Sequence, residues 1–336
     1  MISRLIRFTI LILVFNFTFA DSIISECGNI NKEHILFKRN GYNLNLEQIS
    51  SRNCDLDKNI KYPDVLLIHG LTYSSHQFDL QYKDYSVAEF LARKGYRVWL
   101  LDITGYGGSQ KPNNGFLVNS DYAAQDIDNA AKLILKRENS NKINLLGWSA
   151  GTITGSKMVK LDNSIINTLI LYAPIYHASG VGKEINSYQS FNESAVLSDF
   201  QRESQSQHID YTLVESEVVN RYLEQCRKYD GNGSPNGIRK EMYQQDKSVT
   251  LFDPSALTMP VLVIGGANDG YISLKTDIPY LMNTMPNKNN KLIVIRGASH
   301  MLMLEKPYYH IFQENILEFL NKNNNLYTAT KAESHL

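Results

Sequence analysis

The chain has 336 residues, 43% of them hydrophobic and 20% charged, enough to bury a sizeable core. Its 34 Lys and Arg balance its 34 Asp and Glu. No basic stripe points to nucleic acid, and no acidic run points to a charged partner.

The first segment reads as a targeting signal. Arg4 and Arg7 precede a mostly apolar run from Phe8 to Phe19, and Thr18-Phe19-Ala20 suits a signal peptidase. The run falls short of the roughly 20 apolar residues that a membrane-spanning helix needs. Residues 1–20 are therefore expected to be a cleaved signal peptide. The mature protein is expected to be secreted or periplasmic, with no stable membrane insertion. A Cys27–Cys54 disulfide would suit an oxidising compartment; the alternative reading is three free thiols. No cysteine has a Cys/His spacing of the kind that ligates metal, so neither metal nor cofactor is expected.

Asn40-Gly41 between two alternating segments, His34–Lys38 and Tyr42–Leu46, is a hairpin signal. A strand–helix alternation follows. Short apolar strands are predicted at Val65–Ile68, Arg97–Leu101, Ile143–Leu146, Thr168–Tyr172, Val261–Ile264 and Lys291–Ile295. Helices are predicted at Tyr85–Lys94, Asp121–Arg137, Thr152–Lys160 and Tyr309–Asn321. This is an α/β pattern, a mostly parallel central sheet covered by helices on both faces. The stretch between Pro174 and Pro260 breaks the rhythm. It is polar, Tyr-rich and helix-like, notably at Tyr211–Tyr229, with a loop from Asp230 to Gly237. It reads as a mainly helical cap, residues 175–259, inserted into a core of residues 21–174 and 260–321. Residues 322–336 form a polar tail.

Gly147-Trp148-Ser149-Ala150-Gly151 fits G-x-S-x-G between a predicted strand and a predicted helix. That context is a nucleophile elbow, which lifts a serine on a sharp turn. A serine hydroxyl needs a base to take its proton, and the base needs a carboxylate to orient it. In the elbow architecture the chain order is Ser, acid, His. Asp269 follows the strand ending near Gly266, and His300 follows the strand ending at Ile295. Parallel strands bring both to the rim that carries Ser149. The position after Tyr172 is held by Ala173-Pro174, so no acid competes there. His69, His76 and His177 lack such a placement. The oxyanion donors are expected to be the backbone N–H groups of Ala150 and of Leu71, in the loop His69-Gly70-Leu71-Thr72.

These blocks resemble the α/β-hydrolase superfamily in its capped, serine-nucleophile branch. Leu66–Gly70 is similar to its oxyanion-loop block, and Gly95–Ser109 to its G-Y-x-V…D-x-x-G-x-G-x-S block. The elbow, the Asp269 block and Gly297–Glu305 complete the resemblance, which runs from about Val65 to Leu320. It implies a structural role for Asp102. A serine in the elbow separates this chain from capped epoxide hydrolases and haloalkane dehalogenases, which use aspartate. It implies hydrolysis of an ester, thioester, lactone or amide by way of an acyl-enzyme, and the polar cap, with scattered Tyr and Leu, favours a small or medium carboxylic ester. The partner is then a small-molecule ester or amide. Alternatives are an aminopeptidase or amidase of the prolyl-iminopeptidase type, an acyltransferase, or a non-catalytic ligand-binding homologue. The first of these would need cap acids to hold a free amine, and Glu203, Glu215, Glu217 and Glu224 are available.

Overall fold

The computed structural model describes residues 28–51, 60–200 and 209–324. Residues 1–20, expected to be a signal peptide, Cys27, Cys54, Glu203 and the end of the tail lie outside them.

The chain opens with a hairpin, β1 (Ile30–Arg39) and β2 (Tyr42–Ser51), paired antiparallel in an unbroken register. Asn40 and Gly41 both take positive φ, 50° and 84°. That is the mirror-image turn whose twist matches two antiparallel strands. Then β3 (Asp64–Ile68), α1 (Val87–Arg93), β4 (Arg97–Leu101), α2 (Ser120–Arg137), β5 (Ile143–Trp148), α3 (Ala150–Leu161) and β6 (Ile166–Tyr172) follow. After a long excursion come β9 (Val261–Gly266), α7 (Asp277–Thr284), β10 (Lys291–Ile295) and α8 (Tyr309–Asn323). The eight strands lie in the order β1-β2-β4-β3-β5-β6-β9-β10. Every neighbouring pair from β4 to β10 is parallel, and β1 and β2 add an antiparallel edge.

Side-chain alternation divides the interior into two cores. In β3, Val65 and Leu67 face one cluster with α1 and α8, while Leu66 and Ile68 face the other with α2 and α3. Val98 and Leu100 against Trp99 and Leu101 repeat the pattern in β4. A strand covered on both faces must be apolar on both, so these strands read as continuous hydrophobic runs. The edge hairpin is fastened to α2 by a buried ion pair. Arg39 Nη1 lies 2.6 Å from Asp126 Oδ1, and Asp126 also accepts from the Thr104 N–H at 3.0 Å. Removing one partner would strand a buried charge, at a cost of about 3–5 kcal/mol.

β6 and β9 are sheet neighbours, and among the described residues the chain between them adds no strand to the main sheet. It holds α4 (Glu193–Ser198), α5 (Ser216–Asp230) and α6 (Gly237–Met242). A two-strand ribbon joins β7 (Tyr188–Gln189) to β8 (Ser234–Pro235). This ribbon replaces part of the expected loop after Asp230. The helix expected from Tyr211 begins later, at Ser216. Asp210 accepts from the N–H and hydroxyl of Thr212, and this side-chain turn competes with helix there. Likewise α1 starts two residues late because Ser86 caps it, accepting the Glu89 N–H at 2.9 Å.

Candidate active site

Strand register brings the three predicted residues to one rim. Gly147 on β5 pairs with Leu171, Trp148 with Tyr172, Tyr172 with Ile264 and Gly266 with Ile295. Ser149, Asp269 and His300 follow the C-terminal ends of β5, β9 and β10. Open α/β sheets offer their ligand crevice at this edge.

Ser149 sits at φ 55° and ψ −121°, a conformation that L-residues avoid. The surroundings enforce it. Its N–H donates to the Tyr172 carbonyl at 2.9 Å, and its carbonyl accepts from the N–H and hydroxyl of Thr152. The flanking glycines are steric necessities. A Cβ on Gly147 would collide with the Gly151 carbonyl, and one on Gly151 with the Ile68 carbonyl. The turn can therefore fold back tightly and leave Ser149 half-buried among buried neighbours.

His300 and Asp269 form a buried pair. His300 Nδ1 lies 2.8 Å from Asp269 Oδ2, with both side chains buried. An ionised carboxylate can only accept, so Nδ1 carries the proton and Nε2 of the neutral ring is left basic. Asp269 is itself oriented by the Tyr271 N–H, 2.8 Å from Oδ1. The main chain of His300 is gripped as well. Its carbonyl accepts from the Tyr172 hydroxyl at 2.7 Å and from Trp148 Nε1 at 3.3 Å. The residue before the serine thus holds the loop that carries the histidine. The two rings lie 5.1 Å apart.

The expected oxyanion donors flank the elbow. Ala150 is the first residue of α3, where an N–H has no carbonyl one turn earlier to bond. Leu71 follows Gly70, and a Cβ on Gly70 would press on Trp148 and on Ser149 Cβ. Next to Leu71, Thr72 takes φ 77°, unusual for a β-branched residue. Arg239, buried on α6, donates to the Thr72 hydroxyl at 2.7 Å. The segment between β6 and β9 therefore supports the loop that carries Leu71. His69 shapes the same loop. Its Nδ1 lies 2.8 Å from the Gly70 carbonyl, and its Nε2 accepts the Ile103 N–H at 3.1 Å. Asp102 accepts from the Ser75 N–H and hydroxyl, from Asn45 and from the Gly108 N–H, a wholly structural set of bonds.

His76 and His177 lie elsewhere. His177 pairs with Asp277 at 3.0 Å, and His76 meets Cys226 and Asp230. Of the acids singled out from sequence in the segment between β6 and β9, the three among the described residues also lie elsewhere. Glu215 binds Lys83 and the Tyr85 hydroxyl, Glu217 binds Arg221, and Glu224 is exposed. The acid that does approach the pair is Asp199, which sequence reading missed. Its Oδ2 accepts the Tyr73 hydroxyl at 2.6 Å. One acid among several in a polar segment carries no signal of its own. Burial pushes the Asp199 carboxyl up, against the opposing pull of His300 and the Tyr73 and Tyr271 hydroxyls. For His300, burial disfavours the charged ring, but Asp269, by charge and hydrogen bond, and Asp199, by charge, outweigh it and raise its pKa above the ordinary value.

A base works only when neutral, so a raised His300 pKa moves the acid limb of activity to higher pH. Asp199→Asn keeps an acceptor for Tyr73 and removes a charge. The acid limb of kcat/KM is expected to move to lower pH, by about one unit or less. A profile displaced to higher pH, or not displaced, would contradict this account of Asp199.

Comparisons with known proteins agree with this architecture. The model of the alpha/beta hydrolase fold family matches residues 63–307. A Schizosaccharomyces pombe protein named "Probable lipase C14C8.15" is 27% identical, over 82% of this chain and 74% of its own length. Among solved structures, an epoxide hydrolase from Vigna radiata superposes with a TM-score of 0.62 at 16% identity, covering 87% of this chain and 98% of that one. A thermophilic esterase from Thermogutta terrifontis superposes with a TM-score of 0.58 at 20% identity, covering 88% and 99%.

Proposed function

Because this chain belongs to the α/β-hydrolase fold family, we propose that it is an exported serine hydrolase cleaving small or medium carboxylic esters. Ser149 Oγ attacks the ester carbonyl while His300 Nε2 takes its proton. The N–H groups of Leu71 and Ala150 stabilise the oxyanion of the tetrahedral intermediate. His300 returns the proton to the departing alcohol, which leaves an ester on Ser149. A water then repeats the sequence and releases the acid. Asp269 keeps the proton on Nδ1 and stabilises the imidazolium.

The observation that carries this reading is the buried 2.8 Å Asp269–His300 pair, at the strand ends beyond a serine on a strained turn. The Schizosaccharomyces pombe relative, named a lipase, supports ester chemistry. Polar groups close to the site, Tyr73, Asp199 and Tyr271, favour short substrates over long acyl chains. Residues 175–259 are the cap in this reading, and residues 1–20 direct export.

The test is a chain-length series of p-nitrophenyl esters given to the folded protein. Acetyl and butyryl esters should give the highest kcat/KM, with a fall toward palmitoyl. No turnover of any ester would end the proposal, and a maximum at palmitoyl would end its short-chain part. One observation favours a second reading. Asp199, beside His300, could pair with a substrate ammonium, as an aminopeptidase requires. Turnover of proline naphthylamide above that of the best ester would decide for it.

A further inference from the structure

Away from the catalytic residues, α5 meets the chain that follows β3. His76 belongs to a short 3-10 turn, Ser75–Phe78. Cys226 and Asp230 lie one helical turn apart on α5, so they share a face. Among the described residues, these three form a group whose ligand atoms all fall within 4.8 Å of one another, and all three are buried. His76 Nε2 is 3.4 Å from Asp230 Oδ2 and 3.8 Å from Cys226 Sγ. With metal–ligand bonds of about 2.0–2.3 Å, tetrahedral geometry puts neighbouring ligand atoms roughly 3.3–3.8 Å apart.

Asp230 Oδ2 has no hydrogen-bond partner, although its residue is only 4% exposed. The opposite oxygen, Oδ1, is fixed by the Ser74 N–H at 3.0 Å, which leaves Oδ2 turned toward the cluster. The imidazole is fixed in the same manner. His76 Nδ1 is 2.7 Å from the Ser74 hydroxyl, and Tyr229 stacks on the ring at 5.0 Å. A ligating histidine held through its second nitrogen is the usual outer-sphere arrangement of metal sites. Tyr222, a further turn back on the same face, adds a buried hydroxyl beside the Cys226 thiol.

We propose that His76 Nε2, Cys226 Sγ and Asp230 Oδ2 bind a divalent transition-metal cation of the zinc class. Thiolate, imidazole and carboxylate are the donor set that such a cation prefers. The charges also balance, since one dication offsets one thiolate and one carboxylate beside a neutral ring. The metal takes no part in ester cleavage. It ties α5 to the segment four residues beyond Thr72, and so braces the loop that carries Leu71. No sequence motif announces the site, because His76 and Cys226 are 150 positions apart.

The test uses the metal-free full chain and Co2+ as probe, with Zn2+ as competitor. Stoichiometric Co2+ should produce a near-ultraviolet thiolate-to-cobalt charge-transfer band, bleached by Zn2+, and Zn2+ should raise Tm by several degrees. Cys226→Ser should abolish the band and the Tm gain, while Asp230→Asn should weaken Co2+ binding at least tenfold. The double variant Cys27→Ser/Cys54→Ser should keep the band, which excludes those thiols as its source. A folded wild-type chain that gives no band would overturn the proposal, whatever the variants do. So would a band that survives Cys226→Ser.

Discussion

Ser149→Ala is expected to abolish labelling by a fluorophosphonate probe and to lower kcat on p-nitrophenyl butyrate by about 10⁴- to 10⁶-fold. The hydroxyl is the only group removed. The methyl side chain fits the same half-buried turn, and the bonds that hold the turn come from main chain and from Thr152. Far-ultraviolet circular dichroism and Tm should therefore stay close to wild type, which separates loss of chemistry from loss of fold. A residual rate above that of water is expected, because the N–H groups of Leu71 and Ala150 still favour the tetrahedral state. A variant that still takes the probe would remove Ser149 from the role of nucleophile. The labelled residue, found by peptide mapping, would then replace it.

Asp269→Asn should cost about 10⁴-fold in kcat with little change in KM. The wild-type carboxylate accepts from the His300 Nδ1–H and from the Tyr271 N–H through different oxygens. An asparagine can keep the Tyr271 bond with its oxygen. It then turns an NH2 toward His300, which forces Nδ1 to accept and leaves the ring proton on Nε2. The base is spent before the reaction starts. The substitution also removes the larger of the two carboxylate charges that raise the His300 pKa. The apparent pKa of the acid limb should therefore fall in this variant, and further than in Asp199→Asn. A loss below tenfold would show that Asp269 is not the orienting acid.

Much of the fold was legible in the chain for one physical reason. Strands buried on both faces must be apolar throughout, so β4 could be delimited to the residue. Helix starts were less legible where a serine cap such as Ser86 decides them. The catalytic candidates could be read because elbow, acid and base each follow a strand, and the order of the strands orders their rim. Asp199, Arg239 and the cluster around His76 could not. Their neighbours are set by how the segment between β6 and β9 packs on loops far away in sequence, and no local period encodes that packing. The same limit left the acids of that segment undifferentiated. Glu215 turned to Lys83, and Asp199 turned to Tyr73.

The contact between Trp148 and His300 has an optical consequence. The chain has two tryptophans, and the other, Trp99, is buried with its indole N–H on Asp64. An imidazolium quenches indole emission more strongly than a neutral imidazole does. Trp148, with its ring 5.1 Å from that of His300, converts protonation of the base into a change in brightness, over a nearly constant background from Trp99. Emission followed against pH reads the charge of His300 with no substrate present. It does so even in Ser149→Ala, where turnover is silent.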